Sequence, residues 1–256
     1  MHSTVEEHVL LVSRSAAWMA DWASYTDGID HQDPEVARAD GYRDAVLPAP
    51  TLSVLGVSSQ AAAFVAERRL ARTWESTRVV VVGDQLHARV VHTDYYIETT
   101  FVDDSGTPVA YERFAAPLVE LPLLDGNPAF RTGPIDASRQ AALAQSLAEL
   151  VQGPIDWRWG DAPAPVAAAA SRYVLPSLVG VRAGVRGPFA DDRVRRITCI
   201  PHDQLVPGER LAAVLAEAPG GLVVQLQSES RLVATVEVVA DPPPRLGASS
   251  HRTRQP

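Results

Sequence analysis

The sequence predicts an α+β protein: two antiparallel sheets, each wrapped around a central helix, packed together as a pseudo-dimer. Two observations predict it. First, an apolar stretch framed by prolines, Leu52 to about Glu67, leads into a strand-rich run from Arg68 to Pro117. Second, landmarks of the first half recur in the same order later in the chain. Val46-Leu47-Pro48 returns as Val174-Leu175-Pro176, an offset of 174 − 46 = 128. Gly83-Asp84-Gln85-Leu86 returns as Gly208-Glu209-Arg210-Leu211, an offset of 208 − 83 = 125. Val109-Ala110 returns as Val233-Ala234, an offset of 233 − 109 = 124. A unit this long, repeated once, describes a duplicated domain rather than a solenoid.

The elements follow in order. Residues 5–24 place Val9, Val12, Ala16, Trp18, Met19, Trp22 and Ala23 at helical spacing, and the latter half reads as a helix. Trp18 and Trp22 read as packing residues. An acidic turn follows, Tyr25-Thr26-Asp27-Gly28-Ile29-Asp30-His31-Gln32. Asp33 reads as the N-cap of a short helix with Pro34 at its first position, and Gly41 as its left-handed C-cap. Pro48 and Pro50 forbid helix across them, so Thr51 reads as the cap of the buried helix. Thr77 to Val82, Leu86 to Val91, Tyr95 to Val102 and Val109 to Ala115 read as strands, with a turn at Asp103-Asp104-Ser105-Gly106. These elements make an N-terminal domain of residues 1–121. A linker spans 122–137, rich in proline and glycine. Ser138 to Val151 is helical, with Ala142, Leu143, Leu147 and Leu150 on one face, and opens a C-terminal domain of residues 138–241. Residues 242–256 are poor in apolar side chains and read as a disordered tail.

Composition bounds the function. The chain has 256 residues, 46% of them hydrophobic, enough for a sizeable core. The formal charge, 23 − 31 = −8, argues against a nucleic-acid partner. No apolar run approaches the ~20 residues of a membrane span. Met1 to Val12 carries Glu6 and Glu7 where a signal peptide would be basic. Cys199 is the one cysteine, so no internal disulfide is expected, and a reducing cytoplasm suits the chain. No glycine-rich phosphate loop and no Gly-x-Ser-x-Gly elbow are present, and no cofactor is expected. His87 and His92 fall on opposite faces of a strand, and Cys199 with His202 has poor zinc spacing, so no metal is expected.

The stretch from Asp27 to Thr51 resembles the MaoC-like (R)-specific hydratase/dehydratase family of hot-dog folds. That family's loop reads Gly-Asp-x-Asn-Pro-x-His, followed by Asp-Pro-Glu and an Ala-Gly-Tyr-x-x-x-Val-x-Pro-Pro-Thr run. Here Asp33-Pro34-Glu35, Ala39-Asp40-Gly41-Tyr42 and Val46 to Thr51 match the second part. In the first part His31 falls on the family's histidine, Asp27 stands four residues before it instead of five, and Gly28 and Ile29 replace Asn and Pro. Later, Gly160-Asp161 resembles the start of the loop, and Val166 stands at the histidine position. The resemblance implies a double hot-dog with at most one complete site, in the first half.

It also implies the chemistry. Dehydrating a 3-hydroxyacyl thioester requires a base for the α-proton, an acid for the departing hydroxyl and a positive field for the enolate oxygen. By the resemblance His31 is the base and Asp27 its acidic partner, and the backbone at Ala49, Thr51 and Leu52 holds the oxygen. The plain reading of Asp27, Asp30 and His31 is a solvated turn whose carboxylates cap nearby amides. Arg182, Arg186, Arg193, Arg195 and Arg196 form a basic region. Arg182 and Arg186 are candidates for the phosphate of coenzyme A or a carrier-protein arm; the alternative is a solvated run balanced by Asp191 and Asp192. The implied partner is an acyl-CoA or acyl-carrier-protein substrate, with a homodimer or a second hot-dog chain as protein partner. Three other functions fit the same residues: a cyclase adding an internal hydroxyl across an enoyl bond, a thioesterase, and a non-catalytic partner subunit.

Overall fold

Side chains alternate between buried and exposed along Gln85–Thr93 and along most of Ile97–Asp103, the signature of strands with one face on a core. Ten strands join into one antiparallel sheet in a computed structural model that describes residues 3–24, 32–56, 58–117, 123–148, 150, 164–185, 193–229 and 231–241. They are β1 (Ser3–Leu11), β2 (Ala71–Ser76), β3 (Gln85–Thr93), β4 (Ile97–Asp103), β5 (Pro108–Ala115), β6 (Phe130–Pro134), β7 (Arg193–Pro201), β8 (Arg210–Ala218), β9 (Gly221–Ser228) and β10 (Arg231–Asp241). Their order is β1-β3-β4-β5-β2-β7-β10-β9-β8-β6, so each half presents the same sequence of strands from its outer edge to a shared seam. At that seam Thr73 lies opposite Thr198. Their separation, 198 − 73 = 125, equals the offset between Gly83 and Gly208, which places the two-fold relation on this pair.

The duplication reaches individual hydrogen bonds. Val12 N donates to Asp84 O at 2.9 Å and Gly83 N to Val12 O at 2.8 Å. In the second half Ile135 N donates to Glu209 O at 2.7 Å and Gly208 N to Ile135 O at 2.6 Å. Gly83 and Gly208 both take left-handed backbone, φ +86° and +93°, which favours glycine at both turns. After each outer strand a helix begins on a side-chain cap. Ser13 Oγ accepts from Ala16 N at 3.0 Å and starts α1 (Arg14–Ser24). Asp136 Oδ1 accepts from Arg139 N at 2.8 Å and starts α4 (Ala137–Ala148).

The Ser138 hydroxyl and then the Arg139 amide hold the Asp136 carboxyl below its ordinary value. Asp136 is the N-cap of α4, and Asp136→Ala should cost about 0.5–1 kcal/mol at neutral pH, the low end for a cap because its carboxyl is half exposed. Because the folded-state pKa is depressed, this contribution is present above the unfolded value and lost as the pH falls through the folded one. Melting curves of wild type and variant, separate at pH 7, should converge in acid.

Several expectations need correction. The helical spacing that runs back to residue 5 is misleading: Ser3–Leu11 is a strand on β3, where the β-branched Thr4, Val5 and Val9 suit extended chain. Thr77 to Val82 is a turn region with a single bridge, Val46 to Val81, and the strand lies just before it. The Asp84 carboxylate holds that turn by accepting from Val81 N at 3.0 Å and from Arg78 at 3.1 Å. The expected linker contains a strand of the sheet. Phe130–Pro134 pairs with β8, and Leu124 N donates to the Gln225 side chain at 2.7 Å. The expected tail, 242–256, lies outside the described residues.

The short helix α2 (Pro34–Ala39) forms as the sequence indicates. Asp33 Oδ1 caps Glu35 N at 2.8 Å, and Gly41 follows with φ +92°. The central helix of the first half does not run from Thr51. It is broken into 3-10 turns at Ala49–Thr51 and Val54–Gly56, then α3 (Ser59–Ala66), whose N-cap is Ser58 accepting from Ala61 N at 3.1 Å. Pro50 is one cause. Gly56 marks another: a Cβ there would lie 2.2 Å from the Leu147 carbonyl oxygen, so the chain is pressed directly onto α4.

The second half holds a continuous helical stretch instead: α5 (Ala164–Ala169), a π turn (Ala170–Val174) and α6 (Leu175–Val185). Val174-Leu175-Pro176 is therefore helical, whereas Val46 and Leu47 are extended against Val80 and Val81. Contrary to the expectation from sequence, the 21 residues Ala164–Gly184 are long and apolar enough to cross a membrane by composition, with 18 of them at mean hydropathy 1.2. Of those 18 residues 61% are buried, as a core helix on the sheet. One apolar core runs through both halves, from Leu47, Phe101 and Phe114 to Tyr173, Leu226 and Val236.

Candidate active site

His31 and Asp27 lie outside the described residues, as do Asp161 and Arg186. What is described is the chain that follows the first pair in sequence. Asp33 fixes the chain immediately after His31. Arg43 and Arg78 both pair with Asp84, Leu47 N donates to Val80 O at 2.9 Å, and Val82 N donates to Ala45 O at 2.9 Å. The segment between α2 and Thr51 is thus stitched to the β2–β3 connection.

The expected oxyanion stretch is present but differently employed. Thr51 N donates to Pro48 O at 2.9 Å and Leu52 N to Ala49 O at 3.2 Å. The Thr51 hydroxyl also donates to Pro48 O, at 2.5 Å. Val54 N donates to Glu112 Oε2 at 2.8 Å and Leu55 N to Ser53 Oγ at 3.3 Å. A helix N-terminus offers unsatisfied amides. Here the prolines impose 3-10 turns, and those turns and two side chains take up the amides of Thr51, Leu52, Val54 and Leu55. Ala49 is partly buried and packs on the core.

Beneath this segment is a charged group that sequence reasoning missed. Glu112 is 0% and Arg72 1% exposed. Glu112 Oε1 accepts from Arg72 Nε at 2.6 Å and from Ser53 Oγ at 2.6 Å, while Arg72 Nη2 donates to Pro50 O at 2.7 Å. Trp74 on β2 and Thr99 on β4 stand directly opposite Glu112 on either side. Three buried polar atoms in this cluster have no partner: Arg72 Nη1, Trp74 Nε1 and Thr99 Oγ1. The signal was in the alternation. In Ala71–Ser76 and Pro108–Ala115, Arg72 and Glu112 fall in phase with Trp74, Ala110 and Phe114 on the core face, an ion pair where apolar residues belong.

The second half lacks this apparatus. Adding 125 to Arg72 and Trp74 gives Ile197 and Cys199, and the residues opposite them on β10 are Val238 and Val236. All four are buried. The buried Arg72–Glu112 pair therefore has apolar counterparts in the second half.

The other candidates separate. Arg182 is only 7% exposed, with its guanidinium 5.0 Å from the Phe130 ring centre, so it is not part of a solvated charge run. Arg195 is exposed, and Arg196 pairs with Glu75 at 3.8 Å across the seam. His87 contacts Asp104 at 3.1 Å, His92 packs edge-on to Phe64 at 4.6 Å, and His202 contacts Thr235 at 2.9 Å. Among the described residues no group of three or more His, Cys, Asp or Glu is placed to hold a metal ion. Cys199 is 0% exposed, and burial pushes its thiol up to about 12. A thiol in that state is not a nucleophile at neutral pH. Cys199→Ala should leave turnover within a few-fold, and Cys199 should resist thiol reagents until the protein is unfolded.

No family model matches the chain, and no curated protein does. Solved structures do match, along nearly its whole length. A MaoC-like dehydratase shares 15% identity, covering 94% of this chain and 98% of its own, with a TM-score of 0.62. A MaoC-like dehydratase from Phytophthora capsici shares 14%, covering 94% and 96%, with a TM-score of 0.59. A Mycobacterium tuberculosis protein described as having a double hotdog fold shares 14%, covering 94% and 96%, with a TM-score of 0.58. The fold is a double hot-dog.

The two halves of this double hot-dog are tied through the π turn. Tyr173 Oη donates to Val65 O and to Arg68 O, both at 3.2 Å, and Arg172 Nη1 donates to Ala66 O at 3.1 Å. These donors satisfy the last two carbonyls of α3 and the Arg68 carbonyl just beyond it. Burial pushes the Tyr173 hydroxyl up to about 12, so it remains a donor across the physiological range. The double hot-dog thereby fixes its broken first-half helix from the opposite half.

Proposed function

We propose that the chain is a hydratase/dehydratase that interconverts 3-hydroxyacyl and 2-enoyl thioesters at one site, in the first half. His31 acts as the base for the α-proton and Asp27 as the acid for the hydroxyl. The acyl group arrives on coenzyme A or on a carrier-protein arm. The observation that carries the reading is the asymmetry of the halves. The half with the His31 motif also has the capped α2, the stitched loop and the buried Arg72–Glu112 pair, while the second half has apolar residues at the matching positions. The double hot-dog fold, shared with proteins named as MaoC-like dehydratases, supports the same reaction class.

The purified chain, given a 2-enoyl-CoA, should bleach the enoyl absorbance without releasing free thiol. Thiol release with the enoyl group intact would replace this reading with a thioesterase. No reaction alone, but reaction after adding a second hot-dog chain, would replace it with a partner subunit.

A further inference from the structure

We propose that Arg72, not a backbone amide, donates the hydrogen bond that holds the thioester carbonyl oxygen. The inference rests on the hydratase reading and deepens it. Two independent observations meet here. The amides expected to do the work at Thr51 and Leu52 donate to Pro48 O and Ala49 O, and Val54 N is taken by Glu112. Directly beneath the same segment is a guanidinium with one terminal nitrogen unused. Arg72 Nε is held by Glu112 and Nη2 by the Pro50 carbonyl, while Nη1 is buried and has no partner.

The guanidinium is a rigid planar fork, so those two bonds fix where Nη1 points. A buried donor left without an acceptor costs free energy, and such atoms are few in folded proteins. A donor bound in place beforehand and shielded from water is also what stabilises charge developing on an oxygen. Arg72 stands at the seam, opposite Phe114 of its own half and Cys199 of the other. An oxygen on Nη1 lies beneath the 49–54 segment, which the Pro50 carbonyl and Glu112 tie to the same guanidinium. Trp74 Nε1, two residues along the same face and also unpartnered, is a second donor for a ligand oxygen there. When the α-proton leaves, negative charge moves from the α-carbon to the carbonyl oxygen, and the Arg72 N–H receives it without itself giving up a proton.

Acetoacetyl-CoA is the probe, because its enolate absorbs distinctly and carries charge on the oxygen in question. Wild-type protein should shift the probe toward enolate by tenfold or more relative to free probe at the same pH. Arg72→Met/Glu112→Gln, which removes the donor without stranding a buried charge, should abolish that shift. It should also lower kcat on a 2-enoyl-CoA by about 10²–10³, the cost of one such donor, with KM changed only a few-fold. A folded double variant that keeps the shift, or turns over within threefold of wild type, would overturn the proposal and leave the hydratase reading standing; Nη1 would then hold an internal water only. Turnover by wild type with no enolate shift overturns it equally, whether or not the variant folds. Neither turnover nor enolate shift in wild type would remove both.

Discussion

Arg72→Met and Glu112→Gln, made singly, should each destabilise the protein by about 3–5 kcal/mol, because each leaves the opposite charge buried without its partner. In a chain this size that corresponds to about 6–20 °C in melting temperature. The Glu112 carboxylate takes two donors besides Arg72, the Ser53 hydroxyl and the Val54 amide, so its loss also frees the start of the second 3-10 turn. The double variant should be better than the sum of the singles by at least about 1 kcal/mol, since neither charge is then stranded. Thermal melts of the four proteins give the answer. Single variants within about 1 kcal/mol of wild type would mean that water reaches this pair.

His31→Ala should cut turnover by about 10²–10⁴ without lowering the melting temperature, the range expected when a general base is lost. A base must be neutral to accept a proton, so wild-type activity should fall as the pH drops through the titration of that histidine. The residual activity of the variant should lose this dependence. Loss of Asp27 on top of loss of His31 should add little, because two groups that serve one proton relay do not contribute independently. Turnover that survives His31→Ala with its pH profile intact would move the cyclase or partner-subunit reading ahead.

The duplicated architecture was legible because it is written in turn residues and offsets. Gly83 and Gly208, 125 apart, proved to be equivalent left-handed turns, and the Asp33-Pro34 helix start and the Gly41 stop could be read directly. The break in the central helix was not legible. Its causes are tertiary: Glu112 taking Val54 N from another strand, and Leu147 pressing on Gly56. Local propensity carries neither. The strand Ser3–Leu11 was missed because a nine-residue segment can satisfy helical and extended spacing at once, and pairing with β3 decides between them. The motif pointed to the loop before α2, whose Asp27 and His31 lie outside the described residues. Arg72 and Glu112 stand 40 residues apart, and only the β2–β5 register brings them together. The motif likewise pointed to the amides of Thr51 and Leu52, and the proline-imposed turns spent them.

The claim that one site serves the whole chain, and that it lies in the first half, is tested most directly by a matched pair of substitutions. Asp27→Asn and Asp161→Asn change the same group at the two places where the sequence resembles the family's loop. Initial rates with one 2-enoyl-CoA, measured side by side on folded proteins, should fall by about 10²–10⁴ for Asp27→Asn and stay within a few-fold of wild type for Asp161→Asn. A collapse on Asp161→Asn with Asp27→Asn unaffected would place the chemistry in the second half and contradict the account.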